Sequence, residues 1–150
     1  MGWNENMQEI SLEGFQVVNA SMFRRVSRPS APTATIWPDS ICFSKTALTL
    51  LNNCERIRIE VNAAKRCMLI IPVTEMDKDN VRWIKAGKEP YVRKLTCEGF
   101  TSQLYKNWGW NSELVYKAIG RIVVSEKKVM LLFDFSEPEF WKYASRTKEN

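Results

Sequence analysis

Arg56-Ile57-Arg58-Ile59-Glu60-Val61, then Asn62 to Arg66, then Cys67-Met68-Leu69-Ile70-Ile71-Pro72-Val73: the fold turns on how this stretch is read. The first run alternates strictly. Ile57, Ile59 and Val61 share one face and Arg56, Arg58 and Glu60 the other, which is the period of a half-buried strand. The last run is apolar throughout and therefore reads as a central strand covered on both faces. With the stretch between them as a turn, the two make a hairpin.

Upstream, Ser44 stands as an N-cap before Lys45 to Leu51, where Ala47, Leu48 and Leu51 fall at helical spacing and Asn52-Asn53 ends the run. Before that, Ala34 to Trp37 and Ser40 to Phe43 read as short strands about a Pro38-Asp39 turn. The second half repeats the order. Thr96 caps a helix from Cys97 to Lys106, Gly109 stops it, and Leu114 to Val124 and Val129 to Phe135 are strands about a Ser125 to Lys128 turn. Glu139 to Ala144 reads as a final helical turn. The sequence thus predicts a single α+β domain of two helix-plus-antiparallel-hairpin units, 44–73 and 96–135, sharing one core over residues 34–150. Residues 1–33 are an N-terminal arm and proline loop: a strand or extended arm at Gly14 to Val18, a helical turn over Asn19 to Val26, and Ser27 to Pro32 as irregular chain.

At 150 residues one hydrophobic core suffices. No run is long and apolar enough for a membrane span, and no secretory signal is evident, which points to the cytoplasm. Cys42, Cys54, Cys67 and Cys97 include no CxxC pair and there is no histidine, so they read as buried free thiols and not as zinc ligands.

The missing histidine also removes the commonest general base. No Gly-rich phosphate loop, GxSxG or HExxH is present. The carboxylate pairs Asp77 with Asp79 and Glu137 with Glu139, together with the single Glu98, Glu113 and Asp134, read as caps and solvated loop charges. A hydrolase using carboxylates and a metal is the least favoured alternative. The expectation is a non-enzymatic binding protein without a cofactor.

The net charge of +5 favours acidic partners. The charge concentrates in segment 77–94, where Lys78, Arg82, Lys85, Lys88, Arg93 and Lys94 interleave with Trp83, Ile84 and Tyr91. That composition suits phosphate contacts with ring stacking on bases. Arg56 and Arg58, with Lys65 and Arg66 beside them, would line a cationic sheet surface, and Arg24, Arg25 and Arg28 form another basic patch. Of the neighbours Trp108 and Trp110, one is expected in the core and the other, Trp110, as an exposed anchor.

Gly14-Phe15-Gln16-Val17-Val18, Phe43-Ser44-Lys45, Val61-Asn62, Pro72, Asp77-Lys78-Asp79, Trp83, Gly109-Trp110-Asn111, Tyr116-Lys117, Gly120 and Phe133-Asp134-Phe135 together carry a likeness. By them the chain resembles small accessory proteins of conjugative elements and prophages of Clostridia-like gut bacteria. Some proteins of that setting are anti-CRISPR inhibitors of the type II effector nuclease. The resemblance implies a protein or ribonucleoprotein partner, such as that nuclease, with DNA or RNA contact; it transfers no functional residues. A basic chain is unsuited to mimic DNA. The alternative is a DNA-binding regulator, since paired hairpins are similar, at fold level only, to strand-and-hairpin DNA readers of the transition-state regulator type.

Overall fold

The computed structural model describes residues 8–18, 31–85 and 87–143. The expected helical turn over Asn19 to Val26, the arginines Arg24, Arg25 and Arg28, and the proline loop up to Ser30 lie outside those residues. Residues 8–18 run as exposed chain with one turn, the Phe15 amide donating to the Leu12 carbonyl at 3.1 Å. Of the strand or extended arm expected at Gly14 to Val18, no strand forms, and the stretch is exposed chain.

The core opens with a hairpin of β1 (Thr33–Trp37) and β2 (Ser40–Phe43), followed by a six-residue helix α1 (Lys45–Leu50). Ser44 does not cap that helix through its side chain. Its Oγ instead accepts from the Thr33 amide at 2.9 Å and closes the β1–β2 ladder. The opening hairpin of the sequence reading follows, as β3 (Arg56–Asn62) and β4 (Cys67–Val73). Four two-residue strands come next: β5 (Val81–Arg82), β6 (Ile84–Lys85), β7 (Tyr91–Val92) and β8 (Leu95–Thr96). Helix α2 (Glu98–Trp108) ends at Gly109, which takes the left-handed conformation (φ 64°) that glycine adopts without strain. The chain closes with β9 (Leu114–Ser125), β10 (Lys128–Asp134) and β11 (Glu139–Lys142).

The predicted α+β pair of helix-plus-hairpin units is not what these elements build. Among the described residues strand accounts for 44 % and helix for 14 %, and the main sheet is one curled antiparallel half-barrel. Its order is β5-β3-β4-β10-β9-β1-β2-β8, with β11 also on β9. The reason lies in β4 and β10. Met68 and Ile70 face the core while Ile71 is buried on the other face of β4, and Met130 and Leu131 are likewise buried on opposite faces of β10. Burial on both faces is the mark of central strands, and the two hairpins join edge to edge, Leu131 opposite Ile70 and Phe133 opposite Met68. A one-and-a-half-turn helix such as α1 offers too little surface to form a layer between them. The likeness to paired-hairpin DNA readers loses its footing with the paired units.

The curl is made in β9. Its first part pairs with β1 (Ile36 opposite Tyr116, Thr33 opposite Ile119) and β11, and its second with β10, ending at Phe133 opposite Gly120. Gly120 sits at the change of partner. A Cβ there would lie 2.5 Å from the Phe133 ring, so the strand can bend over that ring only without a side chain. On the other edge, residues 134–138 leave the ladder opposite Ala118 and Ile119 before pairing resumes at Glu139. That resumption is strand β11, not the helical turn expected from Glu139, because Phe140 and Trp141 suit a pleated surface and β9 offers an open edge.

Helix α2 lies against the concave face. Leu104, Tyr105 and Trp108 are buried, Tyr105 Oη donates to the carbonyls of Leu114 (2.7 Å) and Ile36 (3.0 Å), and Trp108 Nε1 donates to the Ala63 carbonyl at 3.1 Å. Among the described residues no helix is long and apolar enough to cross a membrane.

Candidate nucleic-acid interface

Three small ladders set out the charged segment. β5 pairs with β3, Arg82 directly opposite Arg56 and Val81 opposite Ile57. β6 and β7 form a separate two-stranded ribbon, Ile84 opposite Val92 and Lys85 opposite Tyr91. β8 pairs with β2. Between the first two ladders sits Trp83, fully buried. Its amide donates to the Glu55 carbonyl (3.3 Å), its carbonyl accepts from the Arg93 amide (2.9 Å), and its Nε1 donates to the Cys54 carbonyl (2.8 Å). Its ring meets Phe43 edge-on at 5.5 Å. Trp83 is thus the peg that fastens the ribbon to the sheet, and not a ring displayed for stacking.

With the ribbon fixed, Arg82, Lys85, Arg93 and Lys94 converge on one groove of about 640 Å³, floored by Ile84 and Val92 and flanked by Tyr91. No carboxylate lines it. Tyr91 is 56 % exposed at the groove's flank. Lys94 Nζ lies 4.1 Å from the centre of the Trp37 ring, a cation–π contact that holds the ammonium at the groove edge. Beside the groove, the Arg56–Arg82 pair places like charges directly across a ladder, an arrangement that costs stability unless an anion or acceptor offsets it. Asn80 supplies part of the offset, its Oδ1 accepting from Arg56 Nη1 at 2.7 Å. An anion in the groove would supply more.

Of the residues expected to contact a partner, the fold gathers Arg82, Lys85, Arg93 and Lys94. Arg56 is adjacent through the ladder. Lys78 and Lys88 are exposed on the flanking loops but do not line the groove. Arg58 is held by Glu60, Nε to Oε2 at 3.0 Å. Lys65 and Arg66 lie at the β3–β4 turn, where Lys65 lines a different hollow and the Arg66 carbonyl accepts from the Phe135 amide. Trp110 is half-buried, stacked on Tyr116 at 4.0 Å and edge-on to Tyr105 and Trp108, so it belongs to an aromatic cluster under α2. Trp37 was missed by sequence reasoning. Its role depends on Lys94, distant in the chain, and no local signal announces that.

Two of the carboxylates expected to cap do so, Asp77 and Asp134. Asp77 Oδ2 accepts from the Thr74 amide at 2.7 Å and its hydroxyl at 3.0 Å, and those bonds hold the carboxyl below its ordinary range. Asp134 does the same for Ser136, with the same direction of shift. The four cysteines are free and half-buried, less enclosed than expected. Burial pushes the thiols of Cys42, Cys54 and Cys97 up, with Lys94 opposing the effect at Cys42.

Comparison with known proteins gives no match: no protein-family model, no curated protein and no solved structure is similar to this chain.

Proposed function

We propose that the protein is a non-enzymatic binding protein that holds the phosphate backbone of a nucleic-acid strand, free or within a ribonucleoprotein, in the β5–β7 groove. The observation that carries this is the convergence of Arg82, Lys85, Arg93 and Lys94 on one groove that no carboxylate lines. Arginine forks and lysine ammoniums form charge-assisted hydrogen bonds with phosphate oxygens, and the exposed Tyr91 beside the groove would stack on a base. The sequence resemblance makes a type II CRISPR effector a candidate for the ribonucleoprotein, whose guide and target strands carry the phosphates such a groove takes.

Fluorescence anisotropy with a labelled single-stranded oligonucleotide tests the proposal. Lys85→Glu with Arg93→Glu is expected to abolish binding at moderate salt, while Lys106→Glu on helix α2 leaves it nearly unchanged. Equal losses from both would show attraction to net charge only and remove the groove as the site. A cleavage assay with purified type II effector tests the partner separately. Unchanged cleavage at excess protein removes that nuclease and leaves phosphate binding standing.

A further inference from the structure

The half-barrel does not close, and its open seam contains a second site. At one end of the sheet β5 lies on β3, and at the other β8 lies on β2. Both terminal strands line one cavity of about 360 Å³, which receives Ile59 and Val81 from one side, Ile41 and Leu95 from the other, and Phe100 from the first turn of α2. The cavity opens to solvent at its rim, where Asp79, Val81 and Thr96 are exposed. It falls within the roughly 300–1,000 Å³ of small-molecule sites. Water inside would find few partners on these walls. The Cys97 thiol on the wall is already engaged with the Leu95 carbonyl at 3.3 Å. One charged residue lines the cavity, the exposed Asp79, and among the described residues it has no ion-pair partner. The cations Arg82 and Lys94 line the neighbouring basic groove instead.

We propose that this seam cavity binds a small molecule with an apolar body and a protonated amine head, the body against Ile41, Ile59, Leu95 and Phe100 and the head at Asp79. The site is independent of the phosphate groove, since no residue lines both.

Octylamine, octanol and octanoate serve as probes, each titrated below its aggregation threshold into the whole protein and followed by backbone amide shifts. Octylamine is expected to bind best and octanoate worst, with shifts centred on Ile59, Val81, Leu95 and Phe100. Asp79→Asn should weaken octylamine a few-fold, about what an exposed ion pair is worth, and leave octanol unchanged. Leu95→Trp, which fills the cavity, should remove binding of all three. Should that variant fail to fold, the wild-type shift map decides alone. Shifts scattered over the surface, or absent, overturn the site; equal affinity for the three probes overturns the amine assignment.

Discussion

Asp77 and Asp134 show how a single carboxylate is assigned to structure or to chemistry. Each uses one oxygen to accept from a hydroxyl and an amide two or three residues away, and each is held below the ordinary carboxylate range by those bonds. A group whose folded pKa is lowered contributes stability above its unfolded value, about 3.9, and loses it as pH falls through the lower folded value. Asp77→Ala and Asp134→Ala are therefore expected to be less stable than wild type near neutral pH, with the gap closing in acid. Urea denaturation across pH reads this directly, and a gap that stays constant into acid would show that the carboxylate charge contributes nothing. Trp83 teaches the complementary lesson. An indole among lysines and arginines suggests a stacking ring, yet burial decides its role, and its three hydrogen-bonded neighbours make it the ribbon's anchor.

Strand β9 decides the architecture among the elements, and Gly120 decides β9. An added methyl meets the Phe133 ring at 2.5 Å, whereas one at Gly99, on the outer face of α2, meets nothing within 4 Å. Gly120→Ala should cost about 1–3 kcal/mol, the range for overpacking a core. Gly99→Ala should be neutral or stabilising by up to about 1 kcal/mol, since it restricts the unfolded chain. Equilibrium urea denaturation of both variants checks the pair, and a neutral Gly120→Ala would mean that the strand does not need its bend there. Most longer elements were legible because their signals are local: alternation in β3, the apolar run of β4, and the glycine stop of α2. Their assembly was not. The β4–β10 pairing joins segments some sixty residues apart, and nothing in either names the other. The two-residue ladders β5 to β8 are too short to show a period, and the aromatics of β11 read equally well as a helical turn.

In the whole molecule, the curled sheet turns a diffuse excess of positive charge into a directed one. The net charge of +5 and the basic segment 77–94 were visible in the sequence, but the selection of Arg82, Lys85, Arg93 and Lys94 from twelve expected contact residues was made by the ribbon fold alone. Arg58 is spent on Glu60, and Trp110 on its aromatic neighbours. What remains is the groove proposed to take phosphate, where the attraction would come from displaced counterions. The affinity of the wild-type protein for a single-stranded oligonucleotide, measured over a series of salt concentrations, tests this most directly. With three or four phosphates engaged, log affinity should fall against log salt with a slope of about −2 to −3, since each contact on a single strand contributes roughly −0.7. A slope near zero, or no binding even at low salt, would contradict it.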